Sequence, residues 1–452
     1  MNAHQEGSGS YSPDRRTALV LCGTGAHGAY HAGVLRALQE VGVRIDLIAG
    51  HGVGAGSAAV AAIDGAARLS DPEGVWRRPG TAALYGWRSR LVAAGSVAAA
   101  GVAALIIGLL LVGLRIAPLP DNEWAAIVLA VAGLLIVTAV VLATWRGAEK
   151  RRPATGHWWR LLGSPVDAAT ARRLFADAIW NVIKGAAPVA RPASVPLGRR
   201  YAEVLQDNLG QPGFRELILV ATDLDARRDL VAAMLRAPYN EAFMTPRTGR
   251  DRRAEIMDLS GVGRDYLMDV VDAALTPPVI CEPHEITFAA DSFWRGEVHR
   301  GCDRPGSVGR LFEEVAAAGV TQMVVVSAVA AAAGPHRLRA PRLDLRSRLG
   351  ELQSAAEAAA LRDALEVATS SFEAVYVISP AHNPVGPFDL DGAYDEASDR
   401  RQDIGELVER AYEDAYRQFI EPVVGASGDQ LTARVAKDPP YSPTPAGARP
   451  IG

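Results

Sequence analysis

The sequence predicts an α/β protein: a largely parallel sheet covered by helices on both faces, with a two-helix membrane-length hairpin set into it. Three observations carry this. Short apolar runs stop at glycine clusters and restart as Ala-rich helical patterns twice between Ala18 and Gly56. Further apolar runs at Leu217–Thr222, Met323–Ser327 and Val375–Ser379 alternate with helical segments, the signature of strands buried on both faces. Two stretches, 91–114 and 125–144, are 24 and 20 residues long without a charge.

Taken in order, residues 1–16 are polar, lack an apolar core and read as a disordered tail rather than a signal peptide. The first part of the α/β domain covers 17–86. It holds a strand from Ala18, a glycine turn at Gly23–Gly28, a helix from Ala29 to Val41, a second strand at Leu47–Ala49 and a second turn at Gly50–Gly54. The hairpin occupies 87–150. Either uncharged run is long enough to cross about 30 Å of hydrocarbon, and Pro118, Pro120 and Asn122 make the spacer a turn. Trp87, Trp124 and Trp145 sit at the ends of the runs, where the membrane interface favours aromatic rings. The competing reading is a helical hairpin buried in a soluble core. Arg77, Arg78, Arg88 and Arg90 precede the hairpin and Arg146, Lys150, Arg151 and Arg152 follow it, against Arg115 alone in the spacer. Positive-inside asymmetry therefore predicts an integral membrane protein with the α/β domain and both termini in the cytoplasm.

The second part of the domain covers 151–436. Ser164-Pro165 predicts a helix start, with Leu174, Phe175, Ile179, Val182 and Ile183 recurring at helical spacing to Gly185. An Ala/Pro-rich linker reaches Pro196, and the strand from Leu217 ends at Asp223-Leu224-Asp225. Helices are expected over Gly306–Gly319, Glu351–Ala368 and Asp403–Phe419, and residues 437–452 form a Pro-rich tail with little to bury. A net charge of −4, with 49% hydrophobic and 22% charged residues, gives no sign of nucleic-acid binding. Three cysteines, an odd number, favour a reducing compartment.

The two glycine turns resemble those of patatin-like phospholipases. That family pairs a G-G-G-x-R/K-G oxyanion loop with a G-x-S-x-G nucleophile elbow and an aspartate in a later D-G-G/A turn. The loop here is Gly23-Thr24-Gly25-Ala26-His27-Gly28, and the elbow is Gly50-His51-Gly52-Val53-Gly54. Gly52 stands where the resemblance puts the serine and His27 where it puts a cation. By chain order, Arg295-Gly296 stands where the aspartate turn belongs, and Asp391-Gly392-Ala393 offers a later acid as an alternative base. Ser57 is the nearest hydroxyl that could replace the nucleophile. A rival reading takes Gly23, Gly25 and Gly28 as a dinucleotide fingerprint, with Asp46 18 residues beyond as the ribose acid. Asp46 precedes the second strand rather than ending it, and a second elbow is then unexplained. Cys281, His284, His299 and Cys302 have metal-like spacing, but the preferred reading is buried thiols and hydrogen-bonded histidines, and no metal or other cofactor is expected.

With serine, aspartate and loop cation all replaced, the sequence predicts a membrane-anchored, catalytically inactive lipid-binding or scaffolding protein. The partner is a membrane lipid or fatty acid, held as an anion by loop N–H groups, with a membrane-associated protein as a further partner. The alternative is an active lipid acyl hydrolase with a nonstandard nucleophile.

Overall fold

The runs at Thr17–Cys22 and Gln322–Ser327 are buried at every residue. Each has a parallel partner on both sides and helices on both faces, so neither needs the alternation of a half-exposed strand. The computed structural model describes residues 11–113, 123–150, 163–245, 254–292, 294–330, 345–395 and 398–425. In chain order come β1 (Thr17–Cys22), α1 (Gly28–Val41), β2 (Leu47–His51), α2 (Val53–Ala61) and the short α3 (Ala67–Ser70). Then follow α4 (Ser89–Gly113), α5 (Glu123–Lys150), α6 (Ala169–Ile183), α7 (Ser194–Asn208), β3 (Glu216–Asp223), β4 (Arg228–Met234) and α8 (Tyr239–Met244). Next are β5 (Ala254–Asp258), α9 (Leu267–Ala274), β6 (His284–Thr287), β7 (Val298–Cys302), α10 (Ser307–Ala317) and β8 (Gln322–Ser327). The chain closes with α11 (Leu345–Ser371), β9 (Ala374–Ile378), β10 (Ala393–Asp395), β11 (Arg400–Gln402) and α12 (Ile404–Ala415), which continues as a π-helical turn over Tyr416–Gly425.

The sheet order is β5-β4-β3-β2-β1-β8-β9. Strands β3, β2, β1, β8 and β9 are mutually parallel; β4 returns antiparallel to β3 and carries β5 beside it. The β6–β7 ribbon joins antiparallel at the last two residues of β3 and so reaches past the carboxyl edge of the sheet. One face packs against α1, α2, α6, α7, α9 and α12, the other against α8, α10 and the second half of α11. The helices that follow β1 and β8 thus leave to opposite faces. That divergence opens a crevice at the carboxyl ends of these two neighbouring strands, the usual ligand position in such sheets. A cavity of about 600 Å³ lies there, bordered by His27, Val329, Ser354, Val385 and Phe388.

Helices α4 and α5 pack chiefly on each other. Ala94, Gly101 and Gly108, seven residues apart, are buried on α4, and Ala132 and Ala139 on α5. A side chain at Gly101 would meet Ile136 at 3.1 Å, and one at Gly108 would meet Val128 at 3.2 Å. Small residues repeating every seven let two helix backbones approach closely. The outward faces are bare: Leu109, Leu134 and Val137 are each more than half exposed. The membrane-length windows Ser89–Leu110 and Ala126–Thr144 are 17% and 11% buried. A core helix would be mostly enclosed, so the buried-hairpin reading does not describe these two helices.

Two expectations need correction. Residues 11–16 are not a loose tail: Tyr11 is 6% exposed, meets Phe419 edge-on at 5.6 Å, and Ser12 N–H donates to Gln322. Residues 1–10 and the tail at 437–452 lie outside the described residues, as does most of the hairpin spacer. The helix expected from Ser164 begins at Ala169 instead. Val166 bridges to Trp87, and the Asp167 carboxylate accepts from Ala169 N–H at 2.8 Å. Strands β4, β5 and β7 are not among those the sequence predicts: β5 and β7 are short and interrupted by charged or polar residues, whereas β4 carries the unbroken apolar stretch Leu230–Met234.

Candidate active site

Both turns keep the backbone that the glycine clusters predict. Gly52 has φ 59° and ψ −137°, between the end of β2 and the start of α2. This region is open to glycine and costs other residues strain. Flanking it, a side chain at Gly50 would strike the Gly54 carbonyl at 2.3 Å, and one at Gly54 the Leu21 carbonyl at 2.0 Å. The tight strand–turn–helix geometry of an elbow is therefore intact. What it presents is an empty position: a Cβ on Gly52 would lie 2.3 Å from the Gly23 carbonyl oxygen and 2.8 Å from Asp303 Oδ2.

Asp303, directly after β7 and 1% exposed, is the carboxylate that faces the elbow. Thr24 Oγ1 donates to its Oδ2 at 2.9 Å, His51 Nδ1 donates to its Oδ1 at 3.3 Å, and Arg304 N–H donates to Oδ1 at 2.7 Å. Burial opposes a charge on His51, yet the Asp303 carboxylate and the Cys22 sulfur beside the ring lift its pKa to about 10. The pair is thus an imidazolium–carboxylate ion pair, and Thr24 fills the remaining acceptor. Asp303, not Arg295, occupies this place. Arg295 lies exposed in the β6–β7 turn with φ 47°. The sequence signal for Asp303 was its position, an acid immediately before a helix and then a core strand. With no glycine after it, no D-G motif marks it. Asp391 is exposed in the turn before β10, where its carbonyl accepts from Arg401.

Several donors of the loop Gly23–Gly28 and of the elbow are already used within the protein. Val53 N–H, the donor just past the elbow, gives its hydrogen bond to the Gly23 carbonyl at 2.8 Å. Ala26 N–H donates to Pro387 O at 2.7 Å, His27 N–H to Thr24 O at 3.3 Å, and Gly28 N–H to the Ala26 and Gly25 carbonyls. The expectation that the loop donors wait for an external anion fails for Ala26, His27 and Gly28. Helix α11 closes over the loop: Gln353 Nε2 donates to Thr24 Oγ1 at 3.1 Å, and His27 Nδ1 lies 3.1 Å from Glu357 Oε2, both side chains buried. Burial would raise the Glu357 pKa, but hydrogen bonding to His27 holds it below the usual range.

Ser57 is fully buried, and its hydroxyl lies 3.4 Å from an interior histidine, His31. The other His31 nitrogen donates to the Cys22 carbonyl at 2.9 Å, so the ring is neutral and accepts from the serine. Burial pushes its pKa down to about 4. The hydroxyl is a core group with no face toward a substrate. Asp46 lies at the opposite, amino edge of the sheet, where it accepts from Thr17 N–H at 2.9 Å. It cannot share a ribose with the glycine loop. The four residues with metal-like spacing point elsewhere: His284 to Asp269 at 2.8 Å, His299 to Asp223 at 2.6 Å, while Cys281 and Cys302 are buried free thiols. Among the described residues no cluster of histidine, cysteine and acid could hold a metal.

No curated protein sequence matches this chain. The crystal structure of VipD from Legionella pneumophila is similar at 15% identity and a TM-score of 0.31, covering 92% of this chain and 68% of that one. That likeness is too remote to carry chemistry from one protein to the other. The model of the family described as patatin-like phospholipase matches residues 19–293, more than half of the sequence, and spans both glycine turns. With an elbow, a loop and a parallel α/β sheet in the order that family requires, this chain belongs to the patatin-like phospholipases.

Proposed function

We propose that this protein is a membrane-anchored member of the family whose hydrolytic centre has become a closed structural lock, and that it binds lipid without cleaving it. One observation carries the loss of hydrolysis: the Gly23 carbonyl occupies the Val53 N–H beside an elbow that bears no nucleophile. An acyl oxyanion needs free donors at that point, and a nucleophile needs an activatable oxygen or sulfur within reach of a base. Here the remaining carboxylate is neutralised by His51 and capped by Thr24. The exposed apolar hairpin supports anchoring, and arginines on both flanks with Arg115 alone between support a cytoplasmic α/β domain. The cavity between α11 and the loop after β9 supports lipid binding. Its volume suits a chain-like ligand, and its wall mixes Val329, Val385 and Phe388 with Ser354 and His27.

Fluorophosphonate labelling and turnover of a chromogenic fatty-acyl ester test the chemistry. Wild type and Gly52→Ser should both be silent, since the serine Cβ would overlap the Gly23 carbonyl. Strong wild-type labelling that disappears in Thr24→Val would overturn the reading and move the nucleophile into the loop. Native mass spectrometry of protein extracted from membranes tests binding: co-purifying phospholipid or fatty acid is expected, and its displacement by a bulky side chain at Ser354 locates it. An empty protein sinks the lipid-binding half.

A further inference from the structure

The segment Thr276–Cys281 reaches the carboxyl end of the sheet just after α9, and its backbone makes an uncommon turn. Ile280 N–H donates to the Pro278 carbonyl at 2.7 Å, two residues back, and the residue between them, Val279, has φ 68°. This is the rarer and more strained form of γ-turn, with a β-branched residue at its centre, where a positive φ is least tolerated. Glycine would relieve the strain. Yet the side chain is not using its position to fill the core: Val279 is 79% exposed, while Pro277, Ile280 and Cys281 around it are buried. The turn holds an isopropyl group out into its surroundings, on a base of buried neighbours.

Its neighbours say which surroundings. Val166 N–H donates to the Ile280 carbonyl at 3.1 Å, and Val166 itself bridges to Trp87. Arg88 N–H donates to Pro165 O at 3.1 Å, and its guanidinium holds Glu282 at 2.8 Å. The strained turn is therefore tied to the root of α4, two residues before the first membrane-length window begins at Ser89. At that root Trp87 is 44% exposed and Arg90 is exposed. An exposed indole, an exposed valine and an arginine grouped at the foot of an apolar helix fit the headgroup boundary of a bilayer, which takes aromatic rings and basic side chains together.

We infer that the Pro278–Val279–Ile280 turn is a third membrane contact, a wedge that rests in the lipid interface beside the hairpin and directs the carboxyl edge of the sheet, with its closed elbow and cavity, toward the bilayer. The inference rests on the hairpin being membrane-inserted, and its test separates the two. Single spin labels are placed through Val279→Cys, Leu134→Cys and Val41→Cys in the full chain, reconstituted in vesicles of mixed zwitterionic and anionic phospholipid. The three native cysteines are buried, and burial pushes Cys281 and Cys302 up to about 12, so the introduced thiols react first. Collisional access to oxygen against a water-soluble nickel chelate then reads depth. Position 134, in the middle of α5, should be deep in lipid. Position 41, at the far end of α1 and the amino edge of the sheet, should be in water. Position 279 should favour oxygen over nickel several-fold relative to 41, and Trp87→Cys should behave as 279 does. Lipid at 134 with water at both 279 and 87 overturns the wedge and leaves the anchor standing. Water at 134 overturns both.

Discussion

A carboxylate in a buried site must be neutralised, and Asp303 meets this requirement through two neighbouring side chains. His51, one place before the empty elbow position, supplies a proton, and Thr24 supplies a hydroxyl. Because the folded-state pKa of His51 is raised from 6.5 to about 10, the unfolded chain releases this proton first. Its contribution, on the order of a few kcal/mol, is complete below about pH 6.5 and declines as pH climbs toward 10. His31 acts with the opposite sign. Held neutral down to about pH 4, it favours the fold above 6.5 and costs stability as pH falls toward 4. Thermal unfolding in detergent should therefore fall off on both sides. Asp303→Asn should lower the midpoint at pH 7 and flatten the alkaline limb, and an alkaline slope identical to wild type would refute the ion pair. Gly25 illustrates a different limit. A Cβ there would sit 2.0 Å from the Pro387 carbonyl, at φ 60°. Gly25→Ala should thus cost more than the ~1–2 kcal/mol of left-handed strain alone, read as a lower midpoint; an unchanged midpoint would show that the loop can yield.

At the scale of elements, the hairpin and the core obey different packing rules. Inside the α/β body, branched aliphatic residues of β1, β2, β3 and β8 fill the space between two helical layers. In the hairpin the seam is Ala94, Gly101 and Gly108 against Ala132 and Ala139, and the bulky residues point away. In lipid, as the proposed anchoring would have it, no hydrophobic drive acts between helices, so close backbone contact would supply the attraction. Gly101→Leu should splay α4 from α5 and destabilise the hairpin by about 1–3 kcal/mol. Val102→Leu, on the exposed face one residue away, should be neutral. Cysteine crosslinking between α4 and α5 in vesicles compares them, and equal yields would show that the seam is not where the helices hold each other.

For the whole molecule, the arginine asymmetry makes a statement that no local feature does. Both ends of the hairpin carry several basic residues while the spacer holds Arg115, so both should remain on the cytoplasmic side. A cysteine at Asn122 should react with an impermeant maleimide on intact cells, and one at Val41 should not. The reverse pattern would turn the protein over, and protection of both would leave the hairpin in another environment.

The α/β class, the order of strand, turn and helix around residues 18–56, and the length of the hairpin were all readable from the chain. Each depends on local periodicity or on glycines that a tight turn requires. Membership of the patatin-like family was readable for the same reason, since an elbow is a contiguous motif. Asp303 was not. Its role comes from β7 pairing with the end of β3, which brings a residue 251 positions away to the elbow, and no spacing rule encodes that meeting. The closing of the loop was equally hidden. Which N–H groups the Gly23 and Pro387 carbonyls would take depends on how β1, β2 and the segment after β9 converge. Sequence sets which groups can hydrogen-bond; only the tertiary structure decides which of them are already spent.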